Sequence, residues 1–366
     1  MVDYRVRKLA DLVVTYSTNV KDDDVVGISG TYASLPLIKE LVRSVLLAGG
    51  NPVVRIVDEE LEEIFYKYAS EKQLGFISKV SRFFVEDVDV RISIISSTHT
   101  KHLSSVPPDK IKTRLQAARE LTEIFMRRDK EGSLRWNVVP FPTKALAQDA
   151  EMSFVDYEDF VYSACKVNLD DSVEAWMKQA KEQDRIIGVL KKVSEIRIIS
   201  SDTDLYLRVD GRTWINDDGK KNMPGGEVFT GPIEDSVEGY ITFTYPAIWR
   251  GIIVEGVRLE FMNGVVVHAR ASRNEEYLRS VLDTDEGAKR VGEFAFGLNF
   301  GINKFTKNIL FDEKIGGTIH IALGAGYPAT GSENRSSIHW DMIKDMRDGK
   351  IYADGELIYE NGKFLV

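Results

Sequence analysis

Hydrophobic residues recur with two different periods in the two halves of this chain, and that change limits the fold more than any other feature. Up to about residue 190, short apolar runs alternate with amphipathic segments of helical spacing. DVVGIS (24–29), PVVRIVD (52–58), VDVRISIIS (88–96) and WNVVPFP (136–142) read as buried strands. Between them, SLPLIKELVRSVLLAGG, EELEEIFYKYASEK and DKIKTRLQAARELTEIFMRR carry apolar residues three and four apart, and Gly49–Gly50 closes the first of these as a helix C-terminus. Strand–helix alternation of this kind builds a parallel sheet covered by helices.

From about residue 195 the period becomes two. EIRIISSDTDLYLRVDG, GYITFTYPAIWRGIIVEGVRLEFMNGVVVHARAS and IYADGELIYENGKFLV are short alternating runs, with MNG, ADG and ENG as hairpin turns. A helical pair at about 153–192 bridges the two halves. The expected fold class is therefore α/β plus α+β. A parallel α/β domain with bridging helices spans 1–192, and a mainly β, metal-binding domain spans 193–366.

Composition narrows the function. The chain has 48 basic and 57 acidic residues, a net charge of -9 and a pI near 5.3, so nothing drives it generally toward nucleic acid or anionic membranes. No apolar run approaches the roughly 18–20 residues of a membrane span. The opening MVDYRVRKLADLVV lacks the apolar core of a signal peptide, which predicts a cytoplasmic protein. Cys165 is the only cysteine. It excludes an internal disulfide and a thiolate-rich zinc site, and its apolar setting in FVYSACKVN reads as a packed core thiol. Any metal must be held by His, Asp and Glu.

Such residues occur where strand packing would not choose them. In SSIHWDMI (336–343), Ile338, Trp340 and Met342 share one parity while His339 and Asp341 share the other. On a strand that places an imidazole and a carboxylate side by side, opposite an apolar face. GGTIHIALG sets His320 between Ile319 and Ile321, VGEFAFGLN sets Glu293 against Phe294 and Phe296, and MPGGEVFTGP presents Glu227 after two glycines. Each alone has a structural reading: a satisfied core histidine, a sheet-edge charge, a turn residue, a hydrogen-bonded pair. Together they supply a His-and-carboxylate set suited to zinc, cobalt or manganese. Two divalent ions about 3.5–4 Å apart would need a set of this size.

The motifs NMPGGEVFTGPIEDSVEGYITFTYPA, DEGAKRVGEFAFGLN, ILFDEKIGGTIHIALGAGYP and NRSSIHWDMI, in this order, resemble the metallo-aminopeptidase family of aminopeptidases T and S. The likeness extends through TDLYLRVDGRTW and YEDFVYSACKVN and covers most of the chain. It implies a two-metal exopeptidase acting on peptides with free N-termini, and a homodimer. It implies metal ligands at Glu227, Glu293, His320, His339 and Asp341, a further carboxylate ligand at Glu313, and a catalytic tyrosine at Tyr327. Glu293 is the first choice for the group that accepts the proton of water. The chain is shorter than typical members between the two histidine motifs.

Two rival readings remain at this stage. A two-metal hydrolase of another class, acting on phosphoesters or amidated small molecules, would need cationic side chains near the metals, and Arg335 is the obvious candidate. A non-enzymatic binding protein would have no use for the full ligand set. His99 and His102 in STHTKH are set aside as metal ligands because no carboxylate partner stands nearby. GISGTYAS lacks both the G-x-G-x-x-G pattern and a Walker lysine.

Overall fold

Four runs expected to be strands pair in parallel: β1 (Val25–Thr31), β2 (Asn51–Val57), β3 (Val90–Ile95) and β4 (Arg135–Pro140), in the order β2-β1-β3-β4. The computed structural model describes residues 3–366. Its chain divides into two compact units, one running to Ala175 with Gly219–Pro224, the other comprising Trp176–Asp218 and Gly225–Val366. The parallel sheet belongs to the first. Helices Leu35–Leu47 and Pro108–Lys130 connect its strands, as the helical spacing predicts. Cys165 is fully buried. No helix among the described residues is long and apolar enough to cross a membrane.

The second unit is built from antiparallel strands. In chain order they are β5 (Glu195–Ser200), β6 (Thr203–Arg208), β7 (Ile215–Asp217), β8 (Glu227–Thr230), β9 (Glu238–Thr242), β10 (Ala247–Trp249), β11 (Ile252–Val254), β12 (Arg258–Met262), β13 (Val265–Arg270), β14 (Val291–Gly297), β15 (Thr318–Gly324), β16 (His339–Asp345), β17 (Lys350–Ala353), β18 (Glu356–Glu360) and β19 (Lys363–Phe364). Eight form one sheet, β13-β12-β9-β6-β5-β17-β18-β19, and five form another, β16-β15-β14-β8-β7. The expected turns close three hairpins. Asn263–Gly264, Asp354–Gly355 and Asn361–Gly362 all have positive φ at both positions, the backbone that a two-residue hairpin loop requires.

The core of this unit takes one face from each sheet. Ile196, Ile198, Leu205, Leu207, Ile241 and Leu259 come from the eight-stranded sheet. Val228, Phe294, Phe296, Ile319, Ile321, Trp340 and Met342 come from the five-stranded sheet. With that face committed to packing, the alternate residues of β8, β14, β15 and β16 must point the other way.

Candidate metal centre

On the outward face of the five-stranded sheet, strand register arranges the polar residues in rows. Asp217 of β7 pairs with Glu227 of β8, which pairs with Gly297 of β14. In the next row Phe229, Ala295, His320 and Ile343 lie across four strands. Glu293, Ala322 and Asp341 form the third, and His339 faces Gly324 beyond them. Alanine and glycine between the polar residues leave room above the sheet. Ile338, Trp340 and Met342 are buried on the reverse side, as their parity predicts.

Two glycines bring ligand-bearing backbone in close. Gly226 has φ +116, and a Cβ there would lie 2.5 Å from the Asn299 Cβ. Only glycine lets the chain turn there and enter β8 at Glu227. Gly324 has φ +103, and its Cβ would lie 2.2 Å from the Ile338 carbonyl oxygen. From helix Ser172–Leu190, the buried Gln183 amide faces the Asp217 and Glu227 carbonyl oxygens at 3.1 and 3.0 Å, holding β7 and β8 from behind.

Both histidines are aimed by their own Nδ1. That of His320 donates to the Glu313 carbonyl at 3.0 Å, and that of His339 donates to the Ala325 carbonyl at 2.7 Å. Nε2 of each is thereby turned toward the acids. His320 Nε2 lies 3.0 Å from Glu293 Oε1 and 3.8 Å from Asp341 Oδ1. His339 Nε2 lies 3.5 Å from Asp341 Oδ1 and 3.8 Å from Glu293 Oε2. Ligand atoms of Glu227, Glu293 and His320 all fall within 4.8 Å of one another, as do those of Glu313, His320 and Asp341. All six residues that the sequence singles out are thus gathered in one cluster.

A sequence profile of the thermophilic metalloprotease (M29) family matches residues 2–364. The chain belongs to that family. It is 25% identical over 374 residues to aminopeptidase 2 of Geobacillus stearothermophilus, covering 95% of this chain and 90% of that one. It is 26% identical over 392 residues to aminopeptidase T of Thermus thermophilus, covering 95% of each. The solved structure of wild-type AmpT from Thermus thermophilus superposes with a TM-score of 0.86 at 24% identity, over 99% of both chains. A 2,5-dihydroxypyridine dioxygenase from Pseudomonas putida shares the fold at a TM-score of 0.59 and 13% identity, over 99% of this chain and 97% of that one. The fold is therefore not tied to one chemistry, and the reaction must be argued from side chains.

The side chains of this M29 centre fit a metal. Glu227 Oε2, Glu293 Oε2 and Asp341 Oδ1 are buried and accept no hydrogen bond. Desolvated carboxylate oxygens are costly unless a cation or proton donor meets them. Electrostatics agree. Burial disfavours charge on His320, yet Glu293, Glu227 and Asp341 outweigh it and carry the imidazole up to about 10. His339 is likewise carried up to about 10, burial being overcome by Asp341 and Glu293. Burial pushes Glu227 and Glu313 above the usual carboxylate range, against the pull of Lys314. Asp341 is held at about 2, because the histidines and Lys314 offset its burial. The cluster has more acid than its own cations neutralise.

Tyr327 stands at the rim. It is 43% exposed, and its ring centroid lies 5.3 Å from that of His339 and 5.6 Å from that of Phe229. Desolvation, followed by Glu293, Glu313, Asp341 and Glu227, drives its pKa upward and keeps it a proton donor.

Two members of the cluster escape the sequence reading. Lys314 is fully buried, and its ammonium bonds Glu313 and lies 3.3 Å from Glu227 Oε1 and 3.6 Å from Asp217 Oδ2. Asp217 is the end of a three-residue strand, too short to display a period. Arg335, considered above as a phosphate anchor, is exposed. The expectation that His99 and His102 lack carboxylate neighbours is corrected. Glu62 lies 3.0 Å from His102 Nε2, and Glu59 accepts from the backbone of Thr98 and His99. Both acids come from the first turn of helix Glu59–Tyr68, forty residues away in sequence and adjacent in the fold.

Proposed function

We propose that this chain is a metal-dependent aminopeptidase that removes the N-terminal residue from peptides. Glu227, Glu293, Glu313, His320, His339 and Asp341 would hold two divalent ions, with zinc, cobalt or manganese suited to such a His-and-carboxylate set. The observation that carries the reading is the trio of buried, unbonded carboxylate oxygens on Glu227, Glu293 and Asp341, in a chain of the M29 family. When bound, such ions polarise a carbonyl and make water acidic enough to ionise near neutral pH.

The chain's own residues supply the rest. Glu293 Oε2, with no hydrogen bond of its own, is the acceptor for the proton of the attacking water. The Tyr327 hydroxyl donates to the carbonyl oxygen as negative charge builds there. An excess of carboxylates favours an amine end of the substrate over an acylated one. The cationic side chain within the cluster, Lys314, is engaged by carboxylates and closed to solvent, so it offers nothing to a phosphate.

The test is removal of metal by chelation, reloading ion by ion, and assay on matched free and N-acetylated peptides. Peptide hydrolysis should vanish, return with cobalt, zinc or manganese, and require the free amine. Full activity in metal-free protein, or equal cleavage of the acetylated peptide, would overturn the reading. Faster turnover of phosphomonoesters than of peptides would favour the rival hydrolase class.

A further inference from the structure

The first unit carries two cations that no acid meets. Arg55 of β2 and Arg91 of β3 lie on either side of β1, and strand register fixes their places. Val53, Gly27, Arg91 and Trp136 form one row across the sheet, and Arg55, Ser29, Ser93 and Val138 form the next. Helices Lys79–Glu86 and Pro108–Lys130 cover this face. Gly27 leaves a gap in it that the Phe84 ring fills; a Cβ there would lie 2.9 Å from Phe84 Cδ1. The Arg55 guanidinium lies over Phe84 at 4.6 Å, and that of Arg91 lies over Phe125 at 5.5 Å.

A cleft of about 290 Å³ opens between the two arginines and the covering helices, with Phe84, Ala118, Leu121 and Phe125 in its walls. Nε of each arginine is buried without a hydrogen-bond partner, and no carboxylate among the described residues holds either guanidinium. Acids on the covering helices are engaged elsewhere: Glu86 and Glu120 pair with Arg82, and Glu123 pairs with Arg119. Burial lowers the pKa of both guanidiniums, and the charge of Arg55 lowers that of Arg91 further. In the same two rows, Ser29 Oγ and Trp136 Nε1 are also buried and unbonded. Buried charge is costly unless it is paired. An aromatic face offsets part of that cost, but it cannot accept the in-plane bonds that a guanidinium fork donates.

We propose that this cleft binds a small organic anion, a carboxylate or phosphate ester whose oxyanion sits between Arg55 and Arg91 and whose apolar body lies against Phe84, Leu121 and Phe125. Two converging guanidiniums match the planar, multi-acceptor face of either oxyanion. The cleft is at the small end of ligand sites, and its aromatic walls favour an anion with an apolar body over a bare inorganic ion. Every residue of this site belongs to the first unit, and every candidate metal ligand belongs to the second, so anion binding here draws on none of the metal ligands.

The experiment is calorimetric titration of the full-length protein with phenyl phosphate, benzoate and, as an uncharged probe of similar shape, benzyl alcohol. At least one anion should bind about 10-fold or more tightly than the alcohol, the scale of charge-assisted hydrogen bonds. Arg55→Met and Arg91→Met should each weaken that binding by about 10-fold or more. Ala118→Phe fills the cleft and leaves both arginines in place, so it should abolish binding even if an arginine variant folds poorly. Tighter binding of phenyl phosphate would assign a phosphate ester, and tighter binding of benzoate a carboxylate. The proposal is overturned if neither anion binds at millimolar concentration, or if the alcohol binds equally well. Anion binding left unchanged in the folded variants would also overturn it, since an anion held at the metal centre would behave in that way.

Discussion

Replacing Gly324 with alanine should damage the centre without touching any ligand. The added Cβ would lie 2.2 Å from the Ile338 carbonyl oxygen, about 1 Å inside van der Waals contact. That carbonyl accepts from Ala325 N at 2.7 Å, and the Ala325 carbonyl in turn accepts from His339 Nδ1 at 2.7 Å. Pushing the strands apart therefore loosens the bond that aims His339. An alanine at φ +103 costs about 1–3 kcal/mol, and a lost buried hydrogen bond about 1–1.5 kcal/mol more. The total, about 2–4.5 kcal/mol, corresponds to a Tm lowered by roughly 5–15 °C in a unit of this size. Loss of a ligand's orienting bond should weaken ion binding by about 10–100-fold. Scanning calorimetry and chelator competition read both effects. Gly188→Ala is the control: it lies in helix Ser172–Leu190 with nothing within 4 Å of its Cβ, and should stabilise by about 0.4–1 kcal/mol. A Gly324→Ala protein with wild-type Tm and wild-type ion affinity would refute the reasoning.

Three other outcomes follow from the same geometry. Tyr327→Phe keeps the ring against His339 and Phe229, so ion content and KM should hold while kcat falls by roughly 10²–10³; near-normal kcat would mean another group donates to the oxyanion. Asp341→Ala should lower ion content measured by elemental analysis, and unchanged content would remove it from the ligand set. Asp285 accepts from Ser337 N and from the hydroxyls of Ser336 and Ser337, just ahead of β16. Burial opposes its charge, but these bonds hold its pKa below the usual value, so its stabilisation is present above about pH 4 and fades as pH falls through the lowered value. Asp285→Asn should therefore be less stable than wild type by about 1–3 kcal/mol at neutral pH, with the gap closing in acid; a gap independent of pH would contradict this.

The strands of both sheets were legible because a period of two or a buried run survives in the sequence wherever a strand has five residues or more. The same rule exposed Glu293, His320, His339 and Asp341, polar residues on the parity opposite a core face. Glu227 was legible from its glycines, whose necessity is the close approach of Asn299. Lys314 was not. In FDEKIGG it follows the four-residue helix Ile309–Asp312 on irregular backbone, where no period applies, and a lysine beside two acids reads as solvated surface. Asp217 reads the same way. Only the fold, which brings that turn inward over Asp217 of β7 and Glu227 of β8, distinguishes them. The acids that meet His99 and His102 were hidden for a related reason, since their proximity is set by packing and not by spacing.

The row arrangement of the centre also governs what kind of lineage change the chain can absorb. Ligands sit on alternate positions of β14, β15 and β16, so one residue inserted inside β15 ahead of His320 would turn the imidazole into the core and bring an isoleucine into its place. The segments between these strands, 298–317 and 325–338, carry no such parity. They can lengthen, shorten or exchange sequence while the strand rows keep their spacing. Tyr327 lies in the second of those segments, so contacts at the rim can diversify there by insertion and deletion, while Glu313 in the first, a candidate ligand whose carbonyl also aims His320, must stay within reach of the rows.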